Sequence, residues 1–304
     1  VKKTEQKKES RVRSRKPDAR GQGGVALGTK DDRRRVGAKP HRQEFKKPEK
    51  TAPKEPETRY SGQTDKAYNI LAKQLKISGG KAKDMIDRGL VYSRGKKLMI
   101  ARALMPIETE FKVEKLQKPK TIFENKDMIV VDKPPFMSSD EVADAVGATL
   151  VHRLDKETSG VLILAKNEEY LKKAIDAFKK REVYKEYIAI VQGVLAEGGV
   201  VDVPLLIKKG TTAKATVDKK FGKSAKTIYE PLEMVAKKTK LKVVIETGRT
   251  HQIRAHMKFL KHPILGDVAY GGSEAKRIML HSKTIRLLGQ EFTAEEPKDF
   301  MLRE

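Results

Sequence analysis

Among its 304 residues the chain has no cysteine, which rules out disulfide staples, thiolate zinc sites and a cysteine nucleophile. It has no run of about eighteen apolar residues, so the sequence predicts no membrane-spanning helix. The charged N-terminus, which opens on Val1, carries no signal-peptide pattern. One fragment hints at a phosphate-binding loop, Gly222-Lys223-Ser224. Val217 stands where that motif needs its first glycine, so no nucleotide-hydrolase site is expected. Acidic residues are in deficit, 41 Asp/Glu against 66 Lys/Arg, for a net charge of +25. Such a balance calls for a polyanionic partner, a nucleic acid or an anionic membrane surface. A cysteine-free chain fits a reducing cytoplasm.

The charge is spread over the whole chain. Residues 1–60 hold 20 Lys/Arg against 9 Asp/Glu, leaving 46 against 32 for residues 61–304. The first 58 residues have scattered Gly and Pro, few aromatics and no apolar period. They predict a disordered basic tail, with Arg33-Arg34-Arg35 suited to phosphate contacts or simply to solubility. Nine acidic residues are too many for a mitochondrial transit peptide.

From 59 to 116 the pattern is that of a small domain. Ala67, Ile70, Leu71 and Leu75 recur at helical spacing, Ser78-Gly79-Gly80 breaks the helix, and Lys81 to Arg88 begins a second one stopped by Gly89. Leu90-Val91-Tyr92 reads as a strand entering a tight turn at Ser93-Arg94-Gly95-Lys96. Helix, break, basic helix and hairpin together resemble the small RNA-binding domain first known from the fourth small-subunit ribosomal protein. Gly80-Lys81 replaces its usual Ser-Arg, and Arg94-Gly95 its usual Asn-Gly. The resemblance implies that Lys81, Lys83, Arg88 and Lys96 face phosphate, positioning an RNA without reading its sequence. The plainer alternative is a solvated basic face on a packing domain.

Lys118-Pro119-Lys120 reads as a linker, and the rest, from 120 to 304, as the main domain. Met128-Ile129-Val130-Val131 predicts a buried strand ending at Lys133-Pro134-Pro135. The stretch Val151-His152-Arg153-Leu154-Asp155-Lys156-Glu157-Thr158-Ser159-Gly160 is polar and lies between two apolar runs, Thr149–Val151 and Val161–Ala165. It predicts a loop held at both ends by a sheet, where rigid scaffolds tend to carry chemistry. On its own, the plainer reading is a connecting loop with a surface ion pair of little energetic worth.

His152-Arg153-Leu154-Asp155 followed by Thr158-Ser159-Gly160 resembles the signature of the RluA-type pseudouridine synthases, in which that Asp is the nucleophile. Further stretches match in the same order. They are Arg181, Lys185, Tyr187, Ala189, Val191 and Gly193, then Gly222, Lys223, Ala225 and Thr227, then Thr247-Gly248-Arg249-Thr250-His251-Gln252-Ile253-Arg254. Pro263 to Asp267, Tyr270-Gly271 and Met279-Leu280-His281 complete the likeness. After Pro135 the chain is shorter than the family usually is.

The resemblance implies a mixed α/β (α+β) fold with a central, largely antiparallel sheet, and isomerisation of uridine to pseudouridine in RNA, ribosomal RNA first. The bond from ring nitrogen to sugar breaks, the base turns, and it is reattached through carbon, with no redox step or group donor. No cofactor, metal or nucleotide is therefore expected. It further implies that Tyr187 stacks on the target base and takes its proton, that Arg254 pairs with Asp155, and that Arg153 fills the space left by the flipped base, with His152 supporting the loop. A carboxylate beside a guanidinium stays ionised, as a covalent intermediate requires. Thr250 is the expected N-cap of a helix with Ile253, Met257 and Leu260 on its apolar face. His251, His256 and His262 have no metal-ligand spacing and are expected to be neutral. Two rivals remain at this point: a non-catalytic RNA-binding or ribosome-assembly factor, and a glycosidase using Asp155 and Glu157. The latter is weak, since residues two apart on a loop need not face each other across a bond.

Overall fold

The computed structural model describes residues 62–208 and 213–302. The basic tail expected over 1–58 lies outside them. The N-terminal part begins with β1 (Thr64–Lys66), α1 (Ala67–Leu75) and α2 (Gly79–Asp87). β2 (Val91–Ser93) turns through Arg94 and Gly95, both at positive φ, into β3 (Lys96–Lys97). β4 (Leu104–Pro106) then pairs with β1, and β5 (Lys112–Val113) with β2. Ala67, Ile70 and Leu71 of α1 pack with Ala82 and Ile86 of α2 and with Val91, Ala101 and Phe111 in a core separate from the rest. Leu75 does not join it and is exposed. The second helix starts two residues earlier than the glycine pair predicts, because the Ser78 side chain accepts from Lys81 N–H and caps it.

The main part runs β6 (Lys120–Glu124), β7 (Met128–Lys133), α3 (Ser139–Val146), β8 (Thr149–Leu150), β9 (Ser159–Ala165), α4 (Glu168–Lys180) and β10 (Tyr184–Gln192). It continues with β11 (Gly199–Asp202), β12 (Leu205–Lys208), β13 (Lys214–Val217), β14 (Lys226–Val235), β15 (Lys238–Ile245) and α5 (Gln252–Phe259), and ends with β16 (Leu280–Leu287) and β17 (Gln290–Thr293). Ten of these strands form one sheet, in the order β11-β14-β15-β10-β16-β9-β7-β6, with β17 on β16 and β8 on β9. Among the described residues every pairing in it is antiparallel except β9 with β16. The expected mixed fold with a largely antiparallel sheet is what forms.

Strand periodicity sorts the core onto two faces. On β7, Ile129 and Val131 enter one cluster, Met128 and Val130 the other; on β9, Leu162 and Leu164 oppose Val161 and Ile163. Because both faces are covered, β9 is buried at every position and its sequence from Val161 to Ala165 is an unbroken apolar run. Tyr170, Ala174 and Ala177 of α4 close one face; Val142 of α3 with Ile253 and Met257 of α5 close the other.

Candidate active site

The polar stretch 151–158 joins β8 to β9, which are themselves paired, so both ends of the loop are fixed by one ladder. Val151 and Leu154 enter the cores on opposite faces of the sheet. Ser139 Oγ donates to the Leu154 carbonyl at 3.0 Å and accepts from the Leu154 N–H at 2.9 Å, pinning the residue before Asp155 to the start of α3. Lys133, fully buried, donates to the carbonyls of Pro134, Met137 and Lys156. Burial pulls its ammonium down to about 7, while Glu157 and Asp155 pull it back. His152 Nε2 accepts from Ile163 N–H at 3.1 Å and the ring stacks on Phe178; burial pushes it down to about 3, so it is neutral and structural. At the loop's far end Gly160 lies at φ +111°, and a Cβ there would come within 2.1 Å of the Ser282 carbonyl. Only glycine lets β9 run this close to β16.

α5 brings in the cation. Its N-cap is His251, in a left-handed conformation, and not Thr250. Gln252 braces the turn before the helix: its Oε1 accepts from Thr247 Oγ1 and Arg249 N–H, and its Nε2 donates to Lys226 O and Thr227 Oγ1. Arg254 lies in the first turn and is buried. Its Nη1 stands 3.3 Å from Asp155 Oδ2, while Nε and Nη2 bond both oxygens of Asp267 at 2.7 and 2.9 Å. The guanidinium also lies over the Tyr270 ring, 5.0 Å from its centroid. Although burial works against the charge, the Asp267 and Asp155 carboxylates raise the Arg254 pKa and keep it a cation.

β10 supplies Tyr187 at a β-bulge, where the register against β16 shifts between Glu186 and Tyr187. Bulges of this kind re-aim a side chain. Burial first, then the Asp155 charge, pushes the phenol above its ordinary value. Arg153, Asp155, Tyr187 and Arg254 line a single cavity of about 850 Å³, which Lys179, Arg181, Lys185 and Arg249 also line. An anionic loop oxygen, a fixed guanidinium and an aromatic ring thus face one space, with cations to meet a polyanion.

Residues 127–259 match the RNA pseudouridylate synthase family. Over 240 residues the chain is 51% identical to an uncharacterized RNA pseudouridine synthase of Helicobacter pylori (strain J99 / ATCC 700824), covering 78% of this chain and 99% of that protein. The chain belongs to the RluA-type RNA pseudouridine synthases. The synthase is also 33% identical over 223 residues to the ribosomal large subunit pseudouridine synthase D of Vibrio cholerae, 67% of each chain being covered. Two human structures share its fold. RNA Pseudouridylate Synthase Domain Containing 1 is 26% identical with a TM-score of 0.53, covering 62% of the synthase and 87% of that chain. RNA Pseudouridylate Synthase Domain Containing 4 is 24% identical with a TM-score of 0.51, covering 60% and 90%.

Four residues expected in the site share the cavity, but the four cations expected on the N-terminal part do not all behave as expected. Lys81, Lys83 and Lys96 are exposed on the surface of the synthase. Arg88 is not free to face phosphate. Its guanidinium bonds Glu141 at 3.1 and 2.5 Å, Asp84 at 2.5 Å and the Phe136 carbonyl at 3.0 Å. It ties α2 to the start of α3, and Lys97 adds a bond to the Lys276 carbonyl and sits over the Phe136 ring. Arg153 is exposed and held bidentate by Asp140 at 3.1 and 2.6 Å. His256 and His262 are tied elsewhere, to Thr227 and Val203 and to the Gln192 carbonyl. Residue-level reasoning missed Asp267, Ser139 and Lys133 as supports. A buried aspartate in a loop leaves no periodic trace; for α3, the Ser138-x-x-Glu141 capping box was a usable signal.

Proposed function

We propose that the synthase converts uridine to pseudouridine in large-subunit ribosomal RNA, with Asp155 as nucleophile. The observation that carries this reading is the convergence of Asp155, Tyr187 and Arg254 on one cavity from three segments distant in sequence. The likeness to large-subunit enzymes of 33% identity supports the choice of RNA. Arg254, itself anchored on Asp267, stabilises the negative oxygen of Asp155. The target base leaves its stack to reach that oxygen, and Arg153 moves from Asp140 into the space it leaves. The C–N glycosidic bond breaks and a C–C bond to the same sugar carbon replaces it. A proton leaves the ring carbon and one is gained on the released nitrogen, so the net change is an isomerisation. Tyr187 stacks on the base and, as its phenolate, receives the carbon-bound proton. Lys81, Lys83 and Lys96 on a small RNA-binding domain hold phosphates away from the cavity, and the basic tail adds to this attraction. The reaction takes place in the cytoplasm, where ribosomal RNA is found.

The test is pseudouridine mapping of ribosomal RNA from a deletion strain, complemented with the wild-type chain or with Asp155→Asn. A large-subunit site lost on deletion, restored by the wild type and not by the variant, is the expected result. A map unchanged by deletion overturns the choice of RNA, and restoration by Asp155→Asn overturns the nucleophile.

A further inference from the structure

His251 occupies an unusual position. It caps α5 with a φ of 51°, a left-handed conformation that is strained for a residue other than glycine. Its imidazole is wedged between two oxygen-bearing groups. Nδ1 is 3.1 Å from the Tyr270 hydroxyl, and Nε2 is 3.8 Å from Oδ2 of Asp155.

The network decides which nitrogen carries the proton. The Tyr270 hydroxyl accepts from the Ala215 N–H at 2.8 Å, and among the described residues its only other hydrogen-bond partner is His251. Its own proton therefore goes to Nδ1. A neutral imidazole that accepts at Nδ1 bears its hydrogen on Nε2, the nitrogen that faces Asp155. Burial favours this neutral form, as does Arg254; Asp155, Glu157 and Asp267 act the other way. Lys214 and Arg254 lie over the Tyr270 ring, with Lys214 Nζ 5.2 Å from its centroid, and complete the charged groups around the pair.

Arg254 Nη1 and His251 Nε2 converge on the same carboxylate oxygen, Oδ2, at 3.3 and 3.8 Å. Among the described residues the one side-chain hydrogen bond to the Asp155 carboxylate is that of Arg254 to Oδ2, and none reaches Oδ1. We propose that His251 is a positioning residue: held as the Nε2–H tautomer by Tyr270, it joins Arg254 in fixing Oδ2 of Asp155 and so presents Oδ1 to the flipped uridine. The inference rests on Asp155 being the nucleophile. At 3.8 Å the Nε2–H contact is open, and it closes when the base displaces water, as hydrogen bonds in unliganded sites commonly do.

The experiment pairs a tautomer measurement with kinetics on the full chain. Nitrogen-detected imidazole NMR at neutral pH follows the resonance that vanishes in His251→Gln. The expected spectrum has a protonated Nε2 and an unprotonated Nδ1 in the wild type, and a mixed tautomer in Tyr270→Phe. Single-turnover rates on ribosomal RNA fragments fall about tenfold to a hundredfold in both variants, while RNA affinity stays within about twofold of the wild type. A proton on Nδ1, an imidazolium at neutral pH, or wild-type rates in both variants overturns the proposal. If Asp155→Asn stays active, the nucleophile reading fails and takes the role of His251 with it, whatever the tautomer. If Asp155→Asn is dead while Tyr270→Phe and His251→Gln turn over normally, only the positioning role fails.

Discussion

Asp267, with no exposed side chain, holds the Arg254 guanidinium by two hydrogen bonds, 2.7 Å to Nε and 2.9 Å to Nη2. Nη1 is the nitrogen that meets Asp155. The direction of the cation in the cavity is therefore set from behind, by a residue that does not line it. Asp267→Asn keeps the shape, removes the charge and turns one acceptor into a donor facing a donor. Breaking a buried pair on one side costs about 3 kcal/mol or more. The expected outcome is a urea midpoint lowered accordingly and a single-turnover rate down about a hundredfold, both measurable on the purified variant. A rate within threefold of the wild type would show that Asp155 does not depend on the aim of Arg254.

Glu141 links the N-terminal part to the main sheet, through Arg88 on one side and the Ser138 N–H on the other. The Arg88 hydrogen bond, above all, holds its carboxyl down to about 2, against an ordinary value of 4.5. A carboxyl lowered in the folded state adds stability that is complete above about 4.5 and is lost as pH falls toward 2. The side chain is 37% exposed, so solvent screening reduces the contribution to on the order of 1 kcal/mol. Urea midpoints measured from pH 6 to pH 3 should drop more steeply for the wild type than for Glu141→Gln. Parallel curves would mean that the Arg88 link contributes nothing to stability.

Tyr187 is pushed above its ordinary value of 10.0 by burial and by the charge of Asp155. Phenolate is thus a small fraction throughout the working range, and that fraction grows tenfold per pH unit below the pKa. If Tyr187 takes the ring proton as phenolate, single-turnover rates limited by that step should rise with pH between about pH 7 and pH 10. Tyr187→Phe should lower the rate on the order of a hundredfold or more and remove the rising limb. A wild-type rate independent of pH over that range would show that this phenolate is not the base.

The elements that were legible were those where one physical period dominates. β7 and β9 read as apolar runs because both of their faces are covered, and α1 reads as a helix because Ala67, Ile70 and Leu71 fall on one side. The loop that carries Asp155 was legible through the polar interruption between β8 and β9. What stayed hidden depends on contacts between distant segments. Nothing near Arg88 in the chain announces Glu141, 53 residues away, so a basic helix residue read as a phosphate ligand is in fact an internal tie. Thr250 looks the better cap by residue type, yet α5 starts from His251 in a left-handed conformation with no side-chain cap bond, and Gln252 ties the preceding turn through the Arg249 N–H and the Thr247 hydroxyl. The bulge at Tyr187 arises from the pairing with β16 and has no glycine or proline to mark it.

That difference between Arg88 and its neighbours gives a last test. Lys81, Lys83 and Lys96 are exposed, and the charge of each is free to displace a counterion from RNA. Each phosphate neutralised contributes about 0.7 to 0.9 to the slope of log affinity against log salt. Replacing all three by alanine should lower that slope by about 2 to 3, measured by filter binding of a ribosomal RNA fragment across a salt series. The charge of Arg88 is already met by Glu141 and Asp84. Arg88→Ala should therefore leave the slope within about 0.5 and lower the thermal midpoint instead. If Arg88→Ala cuts the slope as much as a surface lysine does, the guanidinium exchanges its internal partners for phosphate when RNA binds. The tie to Glu141 would then belong to the free synthase alone.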